Sequence, residues 1–96
     1  MLCAYIIATI KVHDAEKYEE YKRLANIAIK LHGAEFLVRG SKAQALEGSW
    51  APARMVLLKF PSLEAAHAFN DSPEYALARQ TRRGIAEMEM TVVEGL

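Results

Sequence analysis

Apolar residues fall along this chain in two periods, and switching between them divides it into elements. Leu2-Cys3-Ala4-Tyr5-Ile6-Ile7-Ala8-Thr9-Ile10 alternates, with Ala4, Ile6, Ala8 and Ile10 on one side and Cys3, Tyr5, Ile7 and Thr9 on the other. Both sides are largely apolar, as in a central strand. From Asp14, a natural N-cap, to about His32 the period becomes helical: Tyr18, Tyr21, Ala25 and Ala28, flanked by Leu24 and Leu31, form one stripe. Acidic residues crowd its start, Lys30 and His32 its end, and Gly33 is the expected residue past the C-cap. Glu35 to Gly40 reads as a second strand, with Phe36 and Val38 on one face and Leu37 and Arg39 on the other. Ser41 to Pro52 is irregular, with Gln44 to Glu47 as a short extended arm and Gly48-Ser49 as its turn.

Met55-Val56-Leu57-Leu58 is apolar at every position and predicts a third strand buried on both faces. Phe60-Pro61-Ser62 stops it, and Ser62 caps a helix whose stripe is Leu63, Ala66 and Phe69. Pro73 cannot continue that helix, but Ser72-Pro73-Glu74 makes a fresh start: cap, N1 proline, acidic N2. The second piece runs from Tyr75 to about Ile85, after which Met88, Met90 and Val92 alternate with Glu87, Glu89 and Thr91 as a fourth strand. Strand, helix, strand, strand, helix, strand is the split βαβ order of an α+β, ferredoxin-like fold with an antiparallel sheet and its helices on one face. The first and third strands are central there, and they are the two that read apolar on both sides. The sheet face bearing Tyr5 and Ile7 has nothing in the chain to cover it, so a second copy packed sheet to sheet is expected.

Composition narrows the function classes. The 96 residues are expected to form one domain spanning 1–96. A hydrophobic fraction of 52% is high for a small monomer and again favours a homodimer. A net charge of zero argues against electrostatic nucleic-acid binding. A lone cysteine, Cys3, excludes an internal disulfide and fits a reducing cytoplasm. No run is long enough to span a membrane, and Leu2 to Ile10 lacks the basic start and cleavage pattern of a signal peptide.

The combination Tyr5-Ile6-Ile7-Ala8, Tyr18/Tyr21, His32-Gly33, Phe36-Leu37-Val38-Arg39-Gly40, Leu46-Glu47-Gly48, Trp50, Phe60-Pro61-Ser62-Leu63-Glu64-Ala65-Ala66, Asp71-Ser72-Pro73-Glu74-Tyr75 and Val93-Glu94-Gly95-Leu96 resembles a family of small bacterial proteins. That family is the domain of unknown function family 1330, in the dimeric α+β barrel superfamily. The resemblance implies a ferredoxin-like protomer and a dimer whose two sheets form a barrel. Related barrel families include cofactor-independent monooxygenases, muconolactone-isomerase-like enzymes, haem-dependent enzymes and ligand-sensing domains, so the fold does not choose a chemistry.

Candidate chemistry is sparse. His13, His32 and His67 make no metal motif, and no phosphate loop or nucleophile motif occurs, so neither a metal nor a cofactor is expected. Cys3 reads as a small buried hydrophobe. Arg39 and Arg54 lie on or beside apolar strands, where each needs either a carboxylate such as Glu47 or Asp71, or an anionic ligand. Tyr75, Arg79 and Arg82 share a helical face that is either solvated or the rim of a pocket; Tyr21 is core with its hydroxyl at the edge. The joint at Asp71-Ser72 is either a capped corner or an anion site. One expectation is a small-molecule cleft lined by Arg39, Asp71, Ser72 and Tyr75. It would bind a carbonyl or carboxylate compound and serve a cofactor-free monooxygenation, isomerisation or proton transfer, with Asp71 as base and Arg39 as electrostatic stabiliser. A non-catalytic sensing module and a purely structural dimer are the alternatives.

Overall fold

The structure, a computed structural model, describes residues 2–96. Its elements are β1 (Ala4–Val12), α1 (Ala15–Leu31), β2 (Glu35–Ser41), β3 (Met55–Phe60), α2 (Leu63–Asp71), α3 (Pro73–Thr81) and β4 (Ala86–Glu94). They form one antiparallel sheet in the order β2-β3-β1-β4, the ferredoxin-like arrangement, with β1 and β3 central. β1 runs past Ile10 because Lys11 and Val12 find partners in Glu87 and Ala86 of β4, an opposite-charge pair beside an apolar one.

Local chemistry sets the helix ends. Asp14 accepts a hydrogen bond from the Lys17 N–H at 3.1 Å, and Gly33 follows the C-cap His32 with φ of 69°. Tyr18, Tyr21, Ala25, Ala28 and Ile29 are the buried stripe of α1. Leu31 is not part of its flank: it falls off that phase and stands exposed. Ser72 serves two helices. Its hydroxyl donates to the Phe69 carbonyl at 2.7 Å, closing α2, and accepts from the Tyr75 N–H at 3.1 Å, opening α3. α3 stops at Thr81 rather than near Ile85, because the chain turns through residues 82–85 to enter β4. Residues 42–54 hold no helix or strand; an Ala43 N–H to Pro52 carbonyl bond of 3.0 Å ties the base of that excursion.

The largest correction concerns β2. Phe36 lies opposite Leu58, Val38 opposite Leu57 and Arg39 opposite Val56, so Leu37 has no partner across the ladder. A second shift lies between Arg39 and Ser41, at Gly40, whose φ of 91° suits glycine. The bulge at Leu37 reverses the alternation expected from sequence: Arg39 shares the helix-facing side with Phe36, and its guanidinium lies 4.3 Å from that ring's centroid.

The core fills the space between helices and sheet with Ala4, Ile6, Phe60, Ala66, Phe69, Tyr75 and Ala78 at its centre. Phe60, Phe69 and Tyr75 pack ring to ring, at centroid distances of 5.3 and 4.6 Å. On the opposite sheet face Tyr5, Ile7, Met55, Leu57 and Val38 are only half buried, and no helix lies over them. Cys3 is on this side and part-exposed, not buried as expected.

Candidate functional site

α1 leans on α3 more than on the sheet, and a cavity of about 410 Å³ opens beneath it. That size suits a small organic ligand. Its inner wall is apolar, from Ile6, Ala8 and Ile10 of β1, Leu58 of β3, and Ala25 and Ile29 of α1. Polar groups sit at two places. Arg39 and Arg54 are at the mouth with Glu19, Lys22, Arg23 and Asn26 of α1; Tyr21 and Tyr75 are deep, with their hydroxyls 2.8 Å apart.

At the mouth the charges are unevenly matched. Glu19 pairs with Lys22 at 2.8 Å, and Glu20 pairs with Arg23. The Arg23 hydrogen bond holds the Glu20 carboxyl below its ordinary range, and Glu20 raises Arg23 in return. Arg39 and Arg54 form no ion pair among the described residues. The partners open to them from sequence are elsewhere: Glu47 is exposed in the excursion after β2, and Asp71 is exposed at the end of α2. Arg54 instead lies 5.3 Å from the Tyr18 ring centroid, and Tyr18 stacks on Tyr21 at 5.1 Å. Burial pushes the Tyr18 hydroxyl up, opposed by Arg54. Burial first, then Tyr75, pushes Tyr21 well above the phenol range, so it stays protonated.

The expected site residues therefore separate. Arg39, Arg54, Tyr21 and Tyr75 line the cavity. Asp71 does not, and the geometry does not bring it to Arg39 as a base. Ser72 is buried with its hydroxyl engaged on both sides, so the joint is a capped corner. Arg79 also lies outside the lining, bonded through one nitrogen to the Asn70 carbonyl and side-chain oxygen at 2.8 and 2.9 Å and stacked 5.0 Å from the Tyr75 centroid. Sequence reasoning missed Tyr18, Met88 and Met90 as lining residues. The inward phase of the stripe and of β4 was the signal for all three. His13 pairs with Glu87 at 2.7 Å and His32 with Glu74 at 3.5 Å, both away from the cavity. Among the described residues no three His, Cys, Asp or Glu cluster as metal ligands, and no helix is long and apolar enough to cross a membrane.

Comparison with known proteins agrees on the fold. The profile of a domain of unknown function (DUF1330) matches residues 3–96. A protein of unknown function from Rhodopseudomonas palustris superposes with a TM-score of 0.76 at 16% identity, over 99% of this chain and 83% of that one. SnoaB, a cofactor-independent oxygenase from Streptomyces nogalater, gives 0.68 at 12% identity, over 97% and 92%. A dimeric ferredoxin-like protein of unknown function from Thermobifida fusca gives 0.59 at 13%, over 99% and 92%. No curated protein matches the chain.

Proposed function

We propose that this chain, which belongs to the DUF1330 family, binds a small organic molecule bearing a carboxylate or carbonyl group in the cavity between α1 and the sheet. One observation carries the reading: two arginines without acidic partners among the described residues stand at the mouth of an apolar cavity of about 410 Å³. A guanidinium beside apolar walls is stabilised by a bidentate oxygen acceptor, which a carboxylate supplies. A purely structural role calls instead for paired arginines and a filled interior. Titration calorimetry of the purified protein with medium-sized carboxylates tests the reading, after native mass spectrometry to find any co-purified molecule. Saturable binding is expected, weakened roughly 10- to 100-fold by Arg39→Ala or Arg54→Ala. Equal affinity in both variants would sink it. Asp71→Ala is expected to change nothing.

Binding is favoured over proton abstraction because Glu19 is the one carboxylate in the lining among the described residues, and Lys22 already holds it. A catalytic second reading draws on the fold shared with SnoaB. It requires a substrate activated by hydrogen bonds from neutral phenols and by arginine charge. Product formed from a bound ligand without added cofactor would move weight to it.

The working unit in this reading is a cytoplasmic homodimer. Tyr5, Ile7, Leu57 and Met55 lie side by side on a sheet face with no cover, and a structural relative is described as dimeric. Light scattering is expected to give a dimer for the native chain and a monomer for Ile7→Lys; a native monomer would remove the sheet-to-sheet arrangement.

A further inference from the structure

The deep end of the cavity has more donors than acceptors. Tyr21 and Tyr75 share one hydrogen bond of 2.8 Å, which uses one of their two hydroxyl protons. The other proton reaches only sulfur. Met88 Sδ lies 3.7 Å from the Tyr21 oxygen and 3.8 Å from the Tyr75 oxygen, and Met90 Sδ lies 3.5 Å from the latter. Thioether sulfur is a weak acceptor, so a buried hydroxyl left to it is close to unpartnered. An oxygen acceptor arriving there would be bound at little cost, since the donor has no strong bond to give up. The apolar Tyr18–Tyr21 stack separates this spare donor from Arg54 at the mouth.

Resting on the ligand-binding reading, we infer that the ligand is an oxo-carboxylate. Its carboxylate meets Arg39 and Arg54, its apolar body lies along the Tyr18–Tyr21 stack, and a neutral carbonyl oxygen accepts the spare phenol proton of the Tyr21–Tyr75 pair.

The test is calorimetric titration of the full chain with three matched probe sets. These are medium-chain oxo-carboxylates with the carbonyl stepped along the chain, the parent carboxylates lacking the carbonyl, and the corresponding carboxamides. At one carbonyl position the oxo acid is expected to bind about tenfold tighter than its parent, the worth of one good hydrogen bond. The double variant Tyr21→Phe/Tyr75→Phe removes both phenol donors and is expected to collapse that ratio towards one, whereas either single variant leaves one phenol proton facing only sulfur and is expected to keep it. Arg54→Gln is expected to weaken oxo acid and parent alike, and carboxamides to bind worst. Parent and oxo acids binding equally at every carbonyl position, with the arginine dependence intact, would overturn this inference and leave the binding site standing. Carboxylates that do not bind, or bind without regard to Arg39 and Arg54, would overturn both.

Discussion

The joint at Ser72 and the cavity under α1 are both polar features built into an apolar interior, and they differ in how completely they are satisfied. At the joint one hydroxyl donates at 2.7 Å and accepts at 3.1 Å, and the neighbouring Arg79 is bonded twice to Asn70. Among the described residues Arg39 and Arg54 in the cavity have aromatic rings but no carboxylates, and one phenol proton has only sulfur. Folding alone accounts for the first arrangement. The second leaves a buried phenol proton to thioether sulfur, which natural interiors rarely do without a reason. From sequence the two looked alike, since each offered a polar residue beside an apolar run.

The contrast can be broken in several ways. Ser72→Ala should have the largest effect on stability, about 1–2 kcal/mol by urea denaturation, because it removes a buried cap. Carboxylate binding well below the transition should survive it; a loss of affinity without unfolding would put Ser72 in the site. Alkaline pH should act on the cavity instead. Tyr21 and Tyr18 have raised pKa values in the folded chain, so their contribution is complete below the unfolded value of 10.0 and is lost as pH rises beyond it. Stability should fall by up to about 1.4 kcal/mol per pH unit for Tyr21 above that point. In a Tyr5→Phe background, phenolate absorbance rising together with unfolding would show this; phenolate formed in the folded protein would refute it. Arg54→Ala should lower stability by no more than about 1 kcal/mol while still weakening carboxylates, since it breaks the contact with the Tyr18 ring but no ion pair among the described residues. Asp71→Ala should do least, under about 0.5 kcal/mol in stability and nothing in binding.

Most of the fold was legible because its signals are local. Doubly apolar β1 and β3 announced the centre of the sheet, and Ser72-Pro73 announced the break between α2 and α3. The exposure of Asp71 was legible too. Leu63, Ala66 and Phe69 mark one helical stripe, and two residues past Phe69 is nearly the opposite side of the helix. Proximity in sequence to Ser72 was the misleading cue. The face of Arg39 was harder, since a bulge is decided by how two strands pair, and β2 considered alone alternates either way. Gly40 beside it was the one local hint. Nor does any local pattern reveal that α1 stands off the sheet, because the cavity is a matter of how helices pack on one another.

The two unpartnered residues of β2 have another consequence. In the order β2-β3-β1-β4, β2 is an outermost strand with one side of its backbone free. Kinks at Leu37 and Gly40 spoil it as a template for another chain to join by strand addition. Deleting Leu37 would preserve every facing, with Phe36 and Arg39 still turned to the cavity, yet leave a straighter rim. Such a variant should keep its ligand and aggregate more readily, because one of the two irregularities that spoil this edge for strand addition is gone.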